Sequence, residues 1–327
     1  MKTIILLFIT SVLLLGCQGQ TEQKTEAKKT KAQDSLALKV ALLPTLDCLP
    51  FFVAQDLGLY DSLKLDVRLV VKDSQMDCEE AYLEKKVDGF CTDLMRASLL
   101  QNNKKEIRVL SSLNSEYQLV SSKMLRIKKL SQLKDRMIVI ARHSVTDFLS
   151  DEIVTSIKMK KDAIYRPQIN SVSIRMNMLN NNQIDAAILP QPQAQLAIMQ
   201  GGRLLYKSKK DQTNFSAIAF SCKAITNSYR KTQIKSLLEG YNLAVHRINK
   251  NKNLCDSILL KRYQIQPQDI KKIVLPLYKT AFRPSPSQIE KSVKWLRSRN
   301  KIRRDYSGDT LFLSEFVTPK GRNVLNN

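Results

Sequence analysis

Two short stretches carry the polar side chains best placed for chemistry, Ala141-Arg142-His143-Ser144 and Thr45-Leu46-Asp47-Cys48. An arginine beside a serine at a helix start is equipment for holding an oxyanion. The guanidinium supplies charged donors, and the first helical turn supplies unpaired backbone N–H groups. A carboxylate, sulfonate or phosphate lying against Arg142 and Ser144 is therefore expected, with His143 as a further ligand contact. The other histidine, His246, falls inside a long helical pattern. Catalysis finds less support: with 2 histidines, no HExxH, no paired cysteine motif, no G-x-S-x-G and no P-loop, neither a zinc site nor an activated nucleophile is specified. No catalytic residue, no metal and no cofactor are expected.

These residues need elements that bring them together. Leu38, Val40, Leu42 and Leu43 form the short apolar run of a strand buried on both faces. Pro44 ends it, Thr45 to Leu49 turns the chain, Pro50 opens a helix and Gly58 closes it. The strand therefore delivers Thr45 and Asp47 to its carboxyl end, where open α/β sheets bind ligands, beside the N–H groups of a helix that begins near Phe51.

The alternation continues. Strands are expected at 65–71, 90–91, 107–113 and 117–121, with helices at 78–86 and from Leu94 after a cap at Thr92. A Lys- and Arg-rich passage at 122–136 precedes a restart: a strand at 137–140, then a helix at 145–159 whose start is set by Ser144 with Asp147 three residues on. A strand at 169–174, a short helix at 175–181, a strand at 184–190 and a helix at 191–199 follow, then strands at 204–206 and 217–220. The remainder is mainly helical, with one long helix at 229–249 and a well-specified start at Ser285-Pro286-Ser287-Gln288. The fold class is α/β, with mostly parallel sheets flanked by helices.

Residues 1–17 combine Lys2, an apolar run from Ile4 to Leu15 and the sequence Leu14-Leu15-Gly16-Cys17, which reads as an export signal resembling a lipobox. Cys17 is the expected lipidation site, and the polar, non-periodic residues 18–36 read as a tether. Lipid would then be the membrane anchor, since no other stretch reaches the eighteen or so apolar residues of a span. The chain carries 53 Lys and Arg against 30 Asp and Glu, a formal charge of +23. Nucleic acid is not the expected partner, because no zinc-finger spacing, RNP-type aromatic box or helix-turn-helix accompanies the charge. Attraction to anionic head groups, or steering of an anionic solute, accounts for it better.

Five blocks in order, ALLPTLDCLPFFVAQDLGLYDSLKLDVRLV, VDGFCTDLMRASLL, LKDRMIVIARHSVTDFLSDEI, NQIDAAILPQPQAQLAIMQGG and LLEGYNLAVHRINKN, resemble the solute-binding proteins of ABC importers. The branch is that of the alkanesulfonate, taurine, nitrate and thiamine-pyrimidine binders. The resemblance implies a two-lobed, type II periplasmic binding fold with a ligand cleft between the lobes. It implies a first lobe at 37–122, a second at 123–215, and a return to the first at 216–327 with the C-terminal helices. It further implies a monomer that binds a small organic or anionic solute and delivers it to permease and ATPase subunits. Where the family often has an acidic residue after the proline of the 184–190 strand, this chain has Gln191, which tilts the solute towards neutral or anionic species. The alternatives are an enzyme of the same fold related to thiamine-pyrimidine synthases, a ligand sensor without transport, or a surface adhesin. The synthases' cysteine-rich motif is not matched by the single Cys222 of AFSCKA.

The loops expected to line the cleft supply Thr45, Asp47, Phe51, Gln75, Asp77, Thr92 and Asp93 from the first lobe. From the second come Arg142, His143, Ser144, Pro190 and Gln191. Cys48 and Cys78 follow strands that are neighbours in a doubly wound sheet, so a disulfide between them would pin two cleft loops; small buried thiols are the alternative.

Overall fold

Leu38–Leu42 (β1) is apolar at nearly every position because strands pair with it on both edges and helices cover it. The computed structural model describes residues 36–209 and 212–317. The expected export signal, Cys17 and nearly all of the tether lie outside the described residues.

After β1 come α1 (Leu49–Asp56), β2 (Val67–Val71), α2 (Gln75–Leu83), β3 (Gly89–Asp93), α3 (Leu94–Asn102), β4 (Ile107–Ser112) and β5 (Tyr117–Ser121). Then follow β6 (Ile138–Val139), α4 (Val145–Ser156), α5 (Val172–Asn180), β7 (Ala186–Pro190), α6 (Gln193–Met199), β8 (Arg203–Lys207) and β9 (Ser216–Ser221). The last labelled helices are α7 (Cys222–Thr226), α8 (Ser228–Lys250) and α9 (Pro286–Ser298). The single-turn helices and the short helix Asp256–Lys261 are left unlabelled.

The strands form two sheets, ordered β2-β1-β3-β9-β4 and β6-β7-β5-β8. The two-lobed α/β class with mostly parallel sheets is as expected, and each sheet carries one strand that runs against the rest. β9 runs antiparallel between β3 and β4, and β5 runs antiparallel to both β7 and β8. The reason is connectivity. The chain leaves the first sheet at β4 for β5 and returns from β8 to β9, so each crossing strand enters its new sheet from the end opposite to the βα units. Residues 113–116 are one crossover, and the passage from β8 to β9, described at 208–209 and 212–215, is the other.

A further difference lies at 169–174, expected as a strand. Ser171 instead caps α5, its hydroxyl accepting from Ile174 N at 3.2 Å, and the helix begins at Val172. This places Arg175 in the first turn.

Two late helices hold the first sheet in place. α8 packs on α1, with the Phe51 and Tyr241 ring centroids 4.7 Å apart. A Cβ on Gly240 would stand 2.5 Å from Tyr60 Cε1, so only glycine permits this approach. α9 starts at Ser285 in a complete capping box with Gln288. It packs on α3, and its Trp295 Nε1 donates to Asp151 of α4 at 3.0 Å. Arg299, Arg166 and Lys161 surround the same carboxylate. Burial alone would raise the Asp151 pKa, but hydrogen bonds from Arg299 and Trp295 and the neighbouring cations outweigh it and hold the group below its usual range.

Candidate functional site

The carboxyl ends of β1, β3 and β7 and the N-termini of α2, α4 and α5 converge between the two sheets. They enclose a cavity of about 20 Å³, lined among others by Thr45, Asp47, Gln75, Ser144, Thr146 and Arg175. That is room for about one water. Hydrogen bonds between the lobes keep it small: Leu46 N to Gln191 O at 2.7 Å, Gln193 Nε2 to Pro44 O at 2.8 Å, and Val172 N to Asp73 O at 3.1 Å. The lobes are closed on each other.

Arg175 dominates the chemistry of this cavity. Its side chain is 3% exposed, its Nε has no partner, and its Nη1 donates to Thr146 Oγ1 at 3.5 Å. No carboxylate pairs with it, and burial pulls its pKa down to about 10. A buried, unpaired cation costs several kcal/mol.

Arg96, which also lines the cavity, is by contrast fully engaged. It pairs with buried Glu79 through Nε and Nη2, and its Nη1 donates to the Arg142 carbonyl at 3.2 Å.

Asp93 closes the helix end that was expected to receive the solute. Its Oδ1 accepts from Arg96 N at 2.9 Å as the cap of α3, and its Oδ2 accepts from Val145 N of α4 at 3.0 Å. One carboxylate thus caps a helix of each lobe. Burial raises its pKa to about 6, against those backbone bonds and the Arg96 charge.

The sequence candidates divide accordingly. Thr45, Asp47, Gln75, Ser144 and Pro190 line the cleft cavity. Ser144 donates to Ala141 O at 2.7 Å and accepts from Thr146 N at 3.1 Å, so it is both helix cap and wall. Phe51 does not line it: the ring is fully buried against Tyr241. Asp77 donates its N–H to Ser74 in the first turn of α2, and Ser74 and Met76 line the cavity in its place. Thr92 is buried within β3 and leaves the capping to Asp93. Arg142 is exposed, with only its carbonyl used, and lines no cavity described here.

His143 takes a left-handed backbone (φ 58°), donates its N–H to Asp147 Oδ2 at 2.9 Å and lines neither cavity. Burial, then the nearby Lys301 charge, lower its pKa. Gln191 borders a second, larger cavity of about 620 Å³, which shares Asp47 and Pro190 with the first.

The polar residues missed by sequence reasoning include Arg175, Thr146, Tyr117 and Asn170, with Ser74 and Arg96, all in the cleft wall. Ser171, a cap-type residue three positions before Ile174, was the available sign that a helix start would carry Arg175 to a strand end.

Among the described residues one group could hold a metal: ligand atoms of Asp47, Cys48 and Cys91 lie within 4.8 Å of one another. The Cys91 thiol is pushed well above its usual range by its hydrogen bond with Cys48 and by burial, so it keeps its proton unless a metal displaces it. Cys48 and Cys78, expected as a disulfide or as buried thiols, are free and buried.

Taken together, two lobes, mixed sheets joined by two crossovers and a polar cleft at the strand ends define a protein with the periplasmic binding fold. The chain belongs to the NMT1/THI5 like family, whose model matches residues 45–252, more than half of its length. No curated protein matches it in sequence.

Solved structures share the fold at low identity. The ligand-binding component of an ABC-type import system from Staphylococcus aureus, with zinc bound, is 14% identical at a TM-score of 0.73, covering 86% of this chain and 97% of that one. The alkanesulfonate-binding protein SsuA from Xanthomonas axonopodis pv. citri, bound to MOPS, is 11% identical at 0.72, covering 85% and 98%. The periplasmic nitrate-binding protein NrtA from Synechocystis PCC 6803 is 12% identical at 0.69, covering 82% and 83%.

Proposed function

We propose that this chain is the extracytoplasmic solute-binding component of an ABC importer, and that its lobes close on a small solute whose anionic group lies against Arg175. The observation that carries the reading is the buried guanidinium without a carboxylate partner in the cleft wall. Thr45 and Asn170 line the same wall and add polar contacts. The likeness to proteins named for alkanesulfonate and nitrate supports an anionic solute. Delivery to permease and ATPase subunits, anchoring through a lipid on Cys17 and a tether at 18–36 belong to the same proposal, as do two lobes expected at 37–122 with 216–327 and at 123–215, the first bound moved back to the crossover because β5 pairs with β7 and β8 in the second sheet. No helix among the described residues is long and apolar enough to cross a membrane.

The enzyme reading has one support, the Asp47, Cys48 and Cys91 group. Both thiols are fully buried, so a solute in the cleft does not reach them.

Identification of the co-purifying small molecule by mass spectrometry, followed by calorimetry with that molecule on the native protein and on Arg175→Met, tests the proposal. An anion that binds the native protein and loses at least about tenfold in the variant, the worth of a charge-assisted hydrogen bond, is the expected result. A neutral or cationic molecule bound equally by both would overturn it.

A further inference from the structure

α9 touches helices of both sheets and the passage between them. It packs along α3, where Ser292 Oγ donates to Met95 Sδ at 3.6 Å. The chain beyond it returns to the end of α3, through Arg303 N to Asn102 Oδ1 at 3.0 Å and the Tyr306 hydroxyl to Gln101 Oε1 at 2.9 Å. At its other end Gln288 Nε2 donates to the Thr213 carbonyl at 2.7 Å, on the way from β8 to β9. Towards α4, in the second lobe, it presents Trp295 and its C-cap Arg299.

Their target is Asp151, 2% exposed. Its Oδ2 accepts from Trp295 Nε1 at 3.0 Å and from Arg299 Nε at 3.1 Å. Phe148, one turn earlier on α4, sits between Trp295, edge-on with centroids 5.9 Å apart, and Phe215 of the crossover at 5.4 Å. Asp151 also has cations from its own lobe, Arg166 at 3.2 Å and Lys161 at 3.3 Å. α9 can therefore release Asp151 without leaving a buried charge unpaired, which is the cost that would otherwise forbid separation. Six residues back, about 9 Å along the same rigid helix, the first turn of α4 is cleft wall. There Val145 N donates to Asp93 of the first lobe, and Thr146 Oγ1 accepts from Arg175.

We infer that Trp295 and Arg299 are positioning residues for the cleft: they hold α4 to the first lobe beside the crossovers, and so set how much of the protein is closed, without touching the solute. The inference rests on the reading of the cleft as the solute site, yet its test needs no solute, so the two fail separately.

The test is small-angle scattering and amide hydrogen exchange, without solute, on the native protein and on the double variant Trp295→Phe with Arg299→Gln. The radius of gyration should rise. Exchange at residues 145–148 should quicken at least about tenfold, the worth of a lost charge-assisted hydrogen bond, while β1 and β3 keep their protection. Trp295→Phe alone keeps the aromatic contact with Phe148 and removes only the donor, so it carries the test, with the same sign, if the double variant fails to fold. Arg299→Lys, which keeps a charge beside Asp151, should hold the radius near the native value. A variant that melts earlier but keeps the native radius and native exchange at 145–148 would overturn the inference and leave α9 a packing helix. Faster exchange spread equally over β1 and β3 would overturn it too, because that reports global unfolding and not opening.

Discussion

The two cavities that meet at Asp47 differ in size and in what their walls hold. The smaller, at the helix N-termini, presents a buried arginine without a carboxylate partner; the larger, at the crossovers, is bordered by exposed apolar side chains such as Leu204 and Val274. Net charge predicts neither. A chain of formal charge +23 places most of its cations in water, where they set the far field and little else. The polarity of a site is written instead by the few buried atoms left unpaired, because desolvation makes each of them expensive.

The largest effect expected from this contrast is on stability. Arg175→Met keeps most of the side-chain volume and removes a buried cation that nothing offsets. The unliganded variant should be more stable than the native protein by about 1–4 kcal/mol, the range seen when buried charges give way to apolar groups. Thermal unfolding without solute measures it. A loss of stability would mean that Arg175 already has an anion, and the contrast between the cavities would fail. A gain alongside lost anion binding would identify a residue kept for function at the expense of the fold.

Next in size is the carboxylate that joins the lobes. Asp93→Ala leaves the N–H groups of Arg96 and Val145 without their acceptor, an expected cost of about 2–3 kcal/mol shared between a lost cap and a lost interlobe bond. The closed form should be depleted, which small-angle scattering would read as a larger radius of gyration. If the radius is unchanged, the remaining bridges at Leu46, Gln193 and Val172 suffice to close the cleft.

The same residue sets a pH dependence. Its pKa in the fold is about 6, above the ordinary value of about 3.9, so the folded state binds the extra proton. Its contribution to stability is fully present below about pH 4 and is lost as the pH rises through about 6. Asp151 acts in the opposite sense: its lowered pKa gives stability that is present above the ordinary carboxylate value and is lost as the pH falls further. Asp93→Asn should flatten the stability profile between about pH 4 and 6 and leave the acid limb in place. A profile in that window identical to the native one would show that Asp93 is not the titrating group.

How much of this was legible in the sequence depends on how local the cause was. The capping box at Ser285 and Gln288, the strand Tyr117–Ser121 and the helix start at Val145 are set by residues within a few positions, and they stand as read. Phe51 was read as ligand wall and not as core, since Tyr241, its partner, arrives 190 positions later. Asp93 was placed in the cleft, where the sequence reading could not show that it caps a helix of the other lobe. Arg175 was missed because Ile169, Val172 and Ile174 read as a strand, which set the helix start late. The one antiparallel strand in each sheet, β9 and β5, escaped for a related reason: the direction of a crossing strand is decided by the crossovers, which local periodicity does not encode.

The smallest expected effect concerns Arg142, the cation that sequence reasoning put beside the solute. Its side chain is exposed and borders neither cavity, and its one contact with the cleft wall is its carbonyl oxygen, which accepts from Arg96. Alanine keeps that carbonyl. Arg142→Ala should therefore change stability by no more than about 0.5 kcal/mol, as is usual for surface positions. Affinity for the solute should hold within about twofold at physiological salt, with any change confined to the association rate at low salt, where a rim charge steers. Stopped-flow association at two ionic strengths, beside calorimetry, separates the two contributions. A loss of tenfold or so carried by faster dissociation would put the anion outside the cleft, next to Arg142. Arg175 would then be a buried cation with no ligand to explain it.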